Sequence, residues 1–192
     1  HIISTAVDAT YSVTTADVDG DGDMDVLSTS WDDDKITWYE NDGSESFTEH
    51  TITTAANGAT SVTTADVDGD GDMDVLSASF YDNKIAWYKN DGSESFTAHT
   101  ITTAADSARS VTTADVDGDG DLDVLSASWS DDKITWYDLN LPSIGVSTLD
   151  FNSLNLVEGD RITLTIAGGT QVQGTIGSAG LDALLTTMAS DV

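Results

Sequence analysis

The chain repeats itself with a period of 49 residues, and no other feature limits its possible folds so strongly. Ser12 to Thr60 and Ser61 to Arg109 differ at ten of 49 positions, and a third copy starts at Ser110 and leaves the pattern after Trp136-Tyr137. Self-similarity at about 20 to 50 residues marks chains in which one supersecondary unit stacks on copies of itself, as in solenoids and propellers. Four runs in each unit are rich in β-branched and aromatic residues: Ser12-Val13-Thr14-Thr15-Ala16, Val26-Leu27-Ser28-Thr29-Ser30, Lys35-Ile36-Thr37-Trp38-Tyr39 and Phe47-Thr48-Glu49-His50-Thr51-Ile52. Asp, Asn and Gly punctuate them, and helical periodicity is absent, so each run reads as a strand. Four short strands in such a unit match one β-propeller blade, with small side chains on the inner strands and bulky ones outside. The expectation is a mainly β protein with three four-stranded propeller-type blades at about 12–60, 61–109 and 110–141.

Each unit carries the same acidic run between its first two strands. Its aspartates are Asp17, Asp19, Asp21, Asp23 and Asp25, then Asp66, Asp68, Asp70, Asp72 and Asp74, then Asp115, Asp117, Asp119, Asp121 and Asp123. Neighbouring carboxylates repel by ~1 kcal/mol per close pair in water and several times that in a less polar setting. A compact loop of this kind therefore calls for a cation. Aspartates at loop positions 1, 3 and 5 fall on one side of a tight turn, the glycine at position 6 permits the sharp bend, position 7 offers its carbonyl, and position 9 returns a carboxylate. Such a set suits calcium, which takes about six to eight oxygen ligands, better than magnesium, which tends to keep its own waters. An EF-hand shares the opening pattern but needs a glutamate at position 12, where this chain has Ser28, Ser77 and Ser126. A solvated acidic turn without an ion is the alternative; three calcium sites is the expectation.

The run D-x-D-G-D-G-D-x-D followed by V-L-S, then K-I-x-W-Y and N-D-G-S-x-S-F, resembles the FG-GAP/VCBS-type repeat and the calcium-bearing blades of integrin alpha-subunit propellers. The resemblance covers roughly residues 1–138. It implies a calcium-stabilised β-propeller with the fifteen aspartates as metal ligands, in a family used for adhesion, sugar binding and some polysaccharide-acting enzymes.

The chain has 192 residues and a net charge of −29, and 15 of its 35 acidic residues lie in the three loops. Three divalent ions would add six charges and bring −29 only to −23. With six Lys and Arg in all, nucleic acid and anionic membranes are excluded as partners, because phosphate recognition needs cations. Cysteine is absent, so calcium would take the place of disulfides as a cross-link. Flexible carboxylate sites fill at the millimolar calcium found outside cells, which places the protein outside the cell or on its surface. No stretch of about 18 or more apolar residues argues for membrane insertion.

Propellers close with about four to eight blades, and this sequence supplies three. Residues 1–11 open with His1-Ile2-Ile3-Ser4-Thr5-Ala6, which aligns with His50-Thr51-Ile52-Thr53-Thr54-Ala55, as though an outer strand of a preceding or neighbouring blade came first. The third unit has no copy of Phe47-Thr48-Glu49-His50. Two readings follow: the spare strand completes the third blade of another subunit, giving a homo-oligomer or polymer, or the sequence is a stretch of a longer protein. Residues 142–192 form a separate small α+β module. Arg161 to Ile166 and Gln171 to Ile176 alternate around Gly168-Gly169 as a hairpin, and Leu181, Leu184, Leu185 and Met188 have helical spacing.

Catalytic residues are not apparent. His1, His50 and His99 occupy one repeated position, which reads as structure. A possible ligand-binding surface lies in the loops after the second strand, where Trp31, Tyr81 and Trp129 stand beside carboxylates, an arrangement able to stack on a sugar ring. Trp38, Trp87 and Trp136 sit in mid-strand and are expected between blades. The functional expectation is a non-enzymatic extracellular calcium-binding structural or adhesion protein. Its alternatives are a carbohydrate-binding lectin-like propeller and part of a larger polysaccharide-acting enzyme, with a glycan or surface partner.

Overall fold

The computed structural model describes residues 1–139 and, beyond them, the backbone of 161–165 and 171–175. Two compact units divide between Gly145 and Val146. The first contains three antiparallel sheets and, among the described residues, neither a helix nor a closed barrel. Sheet 1 is β1 (Thr10–Ala16), β2 (Asp25–Ser30), β3 (Lys35–Asn41) and β4 (Phe47–Thr53), paired in sequence order. Sheet 2 repeats it with β5 (Ala59–Ala65), β6 (Asp74–Ser79), β7 (Lys84–Asn90) and β8 (Phe96–Thr102). Sheet 3 has β9 (Ala108–Ala114), β10 (Asp123–Ser128) and β11 (Lys133–Tyr137), with no fourth strand among the described residues. In the second unit β12 (Arg161–Thr165) pairs antiparallel with β13 (Gln171–Thr175), as the alternation there predicts. The expected helix around Leu181 to Met188 lies outside the described residues.

Strand alternation decides which side chains seal the sheets together. Leu27, Ile36 and Trp38 leave one face of sheet 1 and pack with Val62, Val75, Ala86 and Tyr88 of sheet 2. The equivalent face of sheet 2, made of Leu76, Ile85 and Trp87, packs with Val111 and Val124 of sheet 3. Each large apolar side chain so buried contributes about 1.5–3 kcal/mol. At the first strands, hydroxyls join the sheets: the Val62 amide donates to Ser12 Oγ at 3.4 Å and the Val111 amide to Ser61 Oγ at 3.3 Å. The Thr60 hydroxyl lies 3.0 Å from the Ala78 carbonyl and 2.9 Å from that of Ala108.

The turns between second and third strands add a further tie. Asp34 and Asn83 adopt positive φ of 57° and 54°, a conformation their short polar side chains tolerate. From there Asp34 Oδ1 accepts the Gly58 amide and Asn83 Oδ1 accepts the Ser107 amide, both at 2.9 Å. Each turn therefore holds the segment that leads into the next sheet.

Residues 1–9 lie outside the strands of this chain, and β1 begins at Thr10, taking in Thr10 and Tyr11 ahead of the run that starts at Ser12. One sequence-based expectation needs correction. Trp136 is not inter-sheet core: it is 45% exposed where Trp38 is 1% and Trp87 is 7% exposed. The reason is that no fourth sheet packs on its face among the described residues, which also leaves Ile134 bare.

Candidate metal centres

The three acidic runs are the loops β1–β2, β5–β6 and β9–β10, at the same end of each sheet. Strand pairing brings their two ends together, since Ala16 pairs with Asp25, Ala65 with Asp74 and Ala114 with Asp123. In the first loop the Asp17 carboxylate accepts the amides of Gly20 and Gly22 at 2.9 and 3.0 Å. Asp19 accepts the Asp21 amide at 3.1 Å, and Asp21 accepts that of Asp23 at 2.8 Å. The third loop repeats all four bonds through Asp115, Asp117 and Asp119. These bonds wind the backbone around one focus and spend single lone pairs, leaving each carboxylate capacity for a cation. Gly22, Gly71 and Gly120, with φ of 97°, 98° and 99°, supply the bend at loop position 6 that other residues resist.

Carboxylate oxygens converge in each loop. One oxygen from each of Asp17, Asp19 and Asp25 lies within 4.8 Å of the others, and the same holds for Asp115, Asp117 and Asp123. In the second loop the trio is Asp66, Asp68 and Asp70. There Asp66 Oδ1 and Asp68 Oδ1 are buried without a hydrogen-bond partner, which leaves negative oxygens that a cation would satisfy. Hard oxygen donors, a tight glycine turn and orphaned carboxylate oxygens all fit calcium.

The aspartates at positions 7 and 9 have roles of their own. Position 9 is a brace as well as a candidate ligand. Asp25 accepts the Val18 amide at 2.9 Å and the Asn41 amide at 2.8 Å, and Asp74 accepts those of Val67 and Asn90 at 3.0 and 2.8 Å. Asp123 accepts the Val116 amide at 2.9 Å. Burial pushes the Asp74 carboxyl up to about 6, with the Asn90 and Val67 amides opposing. At position 7 the Asp23 and Asp72 side chains lie against Gly43 and Gly92 in the turns after the third strands. A ligand from Asp23, Asp72 or Asp121 is thus expected from the backbone carbonyl.

Sequence reasoning missed two partners of these loops. The Asn90 side-chain amide reaches across to the Val18 carbonyl at 2.9 Å, tying the first loop to the second sheet. Lys89 pairs with Asp68 and sits 3.0 Å from Asp70 Oδ2. A comparison of the repeats at this one position, Glu40, Lys89 and Asp138, carries the signal for it.

The aromatic loops do come together. Trp31 lies 5.1 Å from Tyr81, 5.3 Å from Phe80 and 5.4 Å from Tyr11, and Phe80 lies 6.4 Å from Trp129. The Arg109 guanidinium covers Phe80 at 4.7 Å and Trp129 at 5.3 Å, and donates to Tyr11 Oη at 3.0 Å. The carboxylates beside these rings are partly engaged: Asp34 by Gly58, Asp82 by Lys84 and Asp131 by Lys133. His50 and His99 stack on Trp38 and Trp87 at 4.5 and 4.8 Å.

A family model described as "FG-GAP-like repeat" matches residues 17–77 and 66–126, more than half of the chain. No curated protein matches it. Among solved structures the chain is similar to selenomethionine-substituted virginiamycin B lyase from Staphylococcus aureus, at 16% identity and a TM-score of 0.41, over 90% of this chain and 54% of that one. It is also similar to a catalytically inactive form of that lyase with quinupristin, at 12% identity and a TM-score of 0.36, over 94% of this chain and 71% of that one. The chain thus spans about half the length of the first of these structures.

Proposed function

The chain belongs to the FG-GAP-like repeat family, and we propose that it is a non-enzymatic calcium-binding structural or adhesion protein acting outside the cell or on its surface. The observation that carries this reading is the threefold convergence of aspartate oxygens within 4.8 Å, at equivalent places in successive sheets. Calcium in the first site would be held by Asp17, Asp19, Asp21 and Asp25 with the carbonyl of Asp23, and in the other sites by their equivalents. The ion supplies positive charge that offsets carboxylate repulsion and locks each loop against its sheet. On this reading the sheets are propeller blades, rigid enough to serve as a scaffold. Calorimetric titration with calcium tests it, together with thermal melts in calcium and in excess chelator. Uptake of about three ions and a lower melting point in chelator are expected; no uptake and identical melts overturn it.

Assembly is part of the proposal. The outer edge of β11 is unpaired among the described strands, whereas β3 and β7 are covered by β4 and β8. A segment with the pattern of His1 to Ala6 matches the missing strand and could add to β11 of another subunit. Removing residues 1–6 is then expected to lower the mass in solution, and an unchanged monomer with and without calcium would remove strand complementation.

A carbohydrate-binding reading has its own support, because Trp31, Tyr81 and Trp129 from three successive sheets form one aromatic surface, with Tyr81 and Trp129 59% and 64% exposed. Sugar-dependent quenching of tryptophan fluorescence that disappears in Trp129→Ala is its test, and a glycan array with no binding would discard it.

A further inference from the structure

The three loops share their aspartates but not their charge environment. At the residue two places beyond the mid-strand tryptophan, the chain has Glu40 near the first loop, Lys89 near the second and Asp138 near the third. The Lys89 ammonium pairs with Asp68 and lies 3.0 Å from Asp70 Oδ2. Its hydrogen bonds to Asp68 and then Asp70 raise its own affinity for the proton. Burial works against the Asp70 charge, yet the Asp72 amide and Lys89 hold that carboxyl below its ordinary range. The carboxylates also gather differently around Lys89. The converging trio is Asp66, Asp68 and Asp70 in the second loop, where the first and third loops use the aspartate at position 9 in place of that at position 5. Beside those two loops Glu40 and Asp138 occupy the position that Lys89 holds beside the second.

We propose that Lys89 is a tethered counter-ion of the second aspartate loop that competes with calcium there, so that the outer two sites fill before the middle one. The proposal rests on the reading of the loops as calcium sites and adds a rank order to it. Calcium entering the second loop must displace the ammonium from Asp68 and Asp70, while the first and third loops have a carboxylate at that position, Glu40, which also meets His50 Nε2 at 2.7 Å, and Asp138. A change of two unit charges a few ångströms from a divalent ion is worth about tenfold or more in affinity, even with strong solvent screening. Without calcium, Lys89 partly neutralises the second loop and keeps it folded.

Calorimetric titration of the whole chain with calcium alone tests the order. The wild type is expected to show two tight sites and one about tenfold or more weaker. Lys89→Glu should bring the weak site to the affinity of the others, and Glu40→Lys should create a second weak site. Lys89→Met, which keeps the stem of the side chain, serves as the variant least able to disturb folding, and circular dichroism checks it. Hydrogen exchange in chelator supplies a readout independent of calcium: amides of 66–74 should exchange more slowly than those of 17–25 and 115–123, and lose that advantage in Lys89→Met. Three equal sites that Lys89→Glu leaves unchanged overturn the inference while the calcium reading stands. Absence of uptake by wild type and variants alike overturns both.

Discussion

Sheets 2 and 3 carry nearly the same residues and meet different fates. Ile85 and Trp87 of β7 are 0% and 7% exposed, while Ile134 and Trp136, their equivalents in β11, are 85% and 45% exposed. Sequence and strand register are alike in the two places, since Leu76 pairs with Trp87 and Leu125 with Trp136. The difference is the neighbour. Sheet 2 is sealed on both faces, by sheet 1 and by sheet 3, and sheet 3, among the described residues, on one. Burial in such an array belongs to the contact between units, as expected where stability is a sum of repeat and nearest-neighbour terms.

The largest expected effect separates the two tryptophans. Trp87→Ala should cost about 3–5 kcal/mol in denaturant unfolding, and Trp136→Ala less than about 1 kcal/mol; equal losses would mean that the exposed face of sheet 3 is covered in solution. Calcium removal comes next. A site kept at about a thousand times its dissociation constant contributes roughly 4 kcal/mol, and in chelator hydrogen exchange should open sheet 3 before sheet 2. Opening of sheet 2 first would break the comparison.

A smaller effect is expected at the brace. Asp74→Ala strands the amides of Val67 and Asn90, at about 1–3 kcal/mol for each buried group left unpaired. Asp123→Ala should cost less, because its Val116 partner is more exposed. The least effect is that of pH. Burial raises Asp74 from 3.8 to about 6 in the calcium-free protein. Its contribution to stability is therefore fully present below pH ~4 and lost as pH rises through about 6. Calcium, which favours the carboxylate form, should remove that loss, and a carboxyl NMR titration with and without the ion measures it.

Much of the fold was legible because turn chemistry recurs. Asp, Asn and Gly cut each repeat into four runs, and the runs are the strands, with ends shifted by a residue or two, as at Thr10 and Thr53. The spacing of the aspartates foretold that carboxylates converge in each loop, but not that position 5 joins the trio only in the second loop and position 9 only in the first and third. What escaped were contacts made by register and by neighbours. Lys89 meets Asp68 across 21 residues of sequence, because the end of the third strand returns beside the loop between the first two. The inward-looking expectation for Trp136 failed because periodicity tells which face a side chain takes, and nothing about whether another sheet arrives to cover it. Arg109, one of the ten positions that differ between the first two repeats, gave no hint of its place over Phe80 and Trp129.

The Ser12 and Ser61 hydroxyls, each receiving an amide from the first strand of the following sheet, carry a consequence for how such a molecule can grow. Donor and acceptor recur every 49 residues, so a tandem copy of the segment would arrive with both halves of its joint already made. Length in this lineage is therefore cheap to change by duplication, while any alteration of that serine is felt at every junction that inherits it.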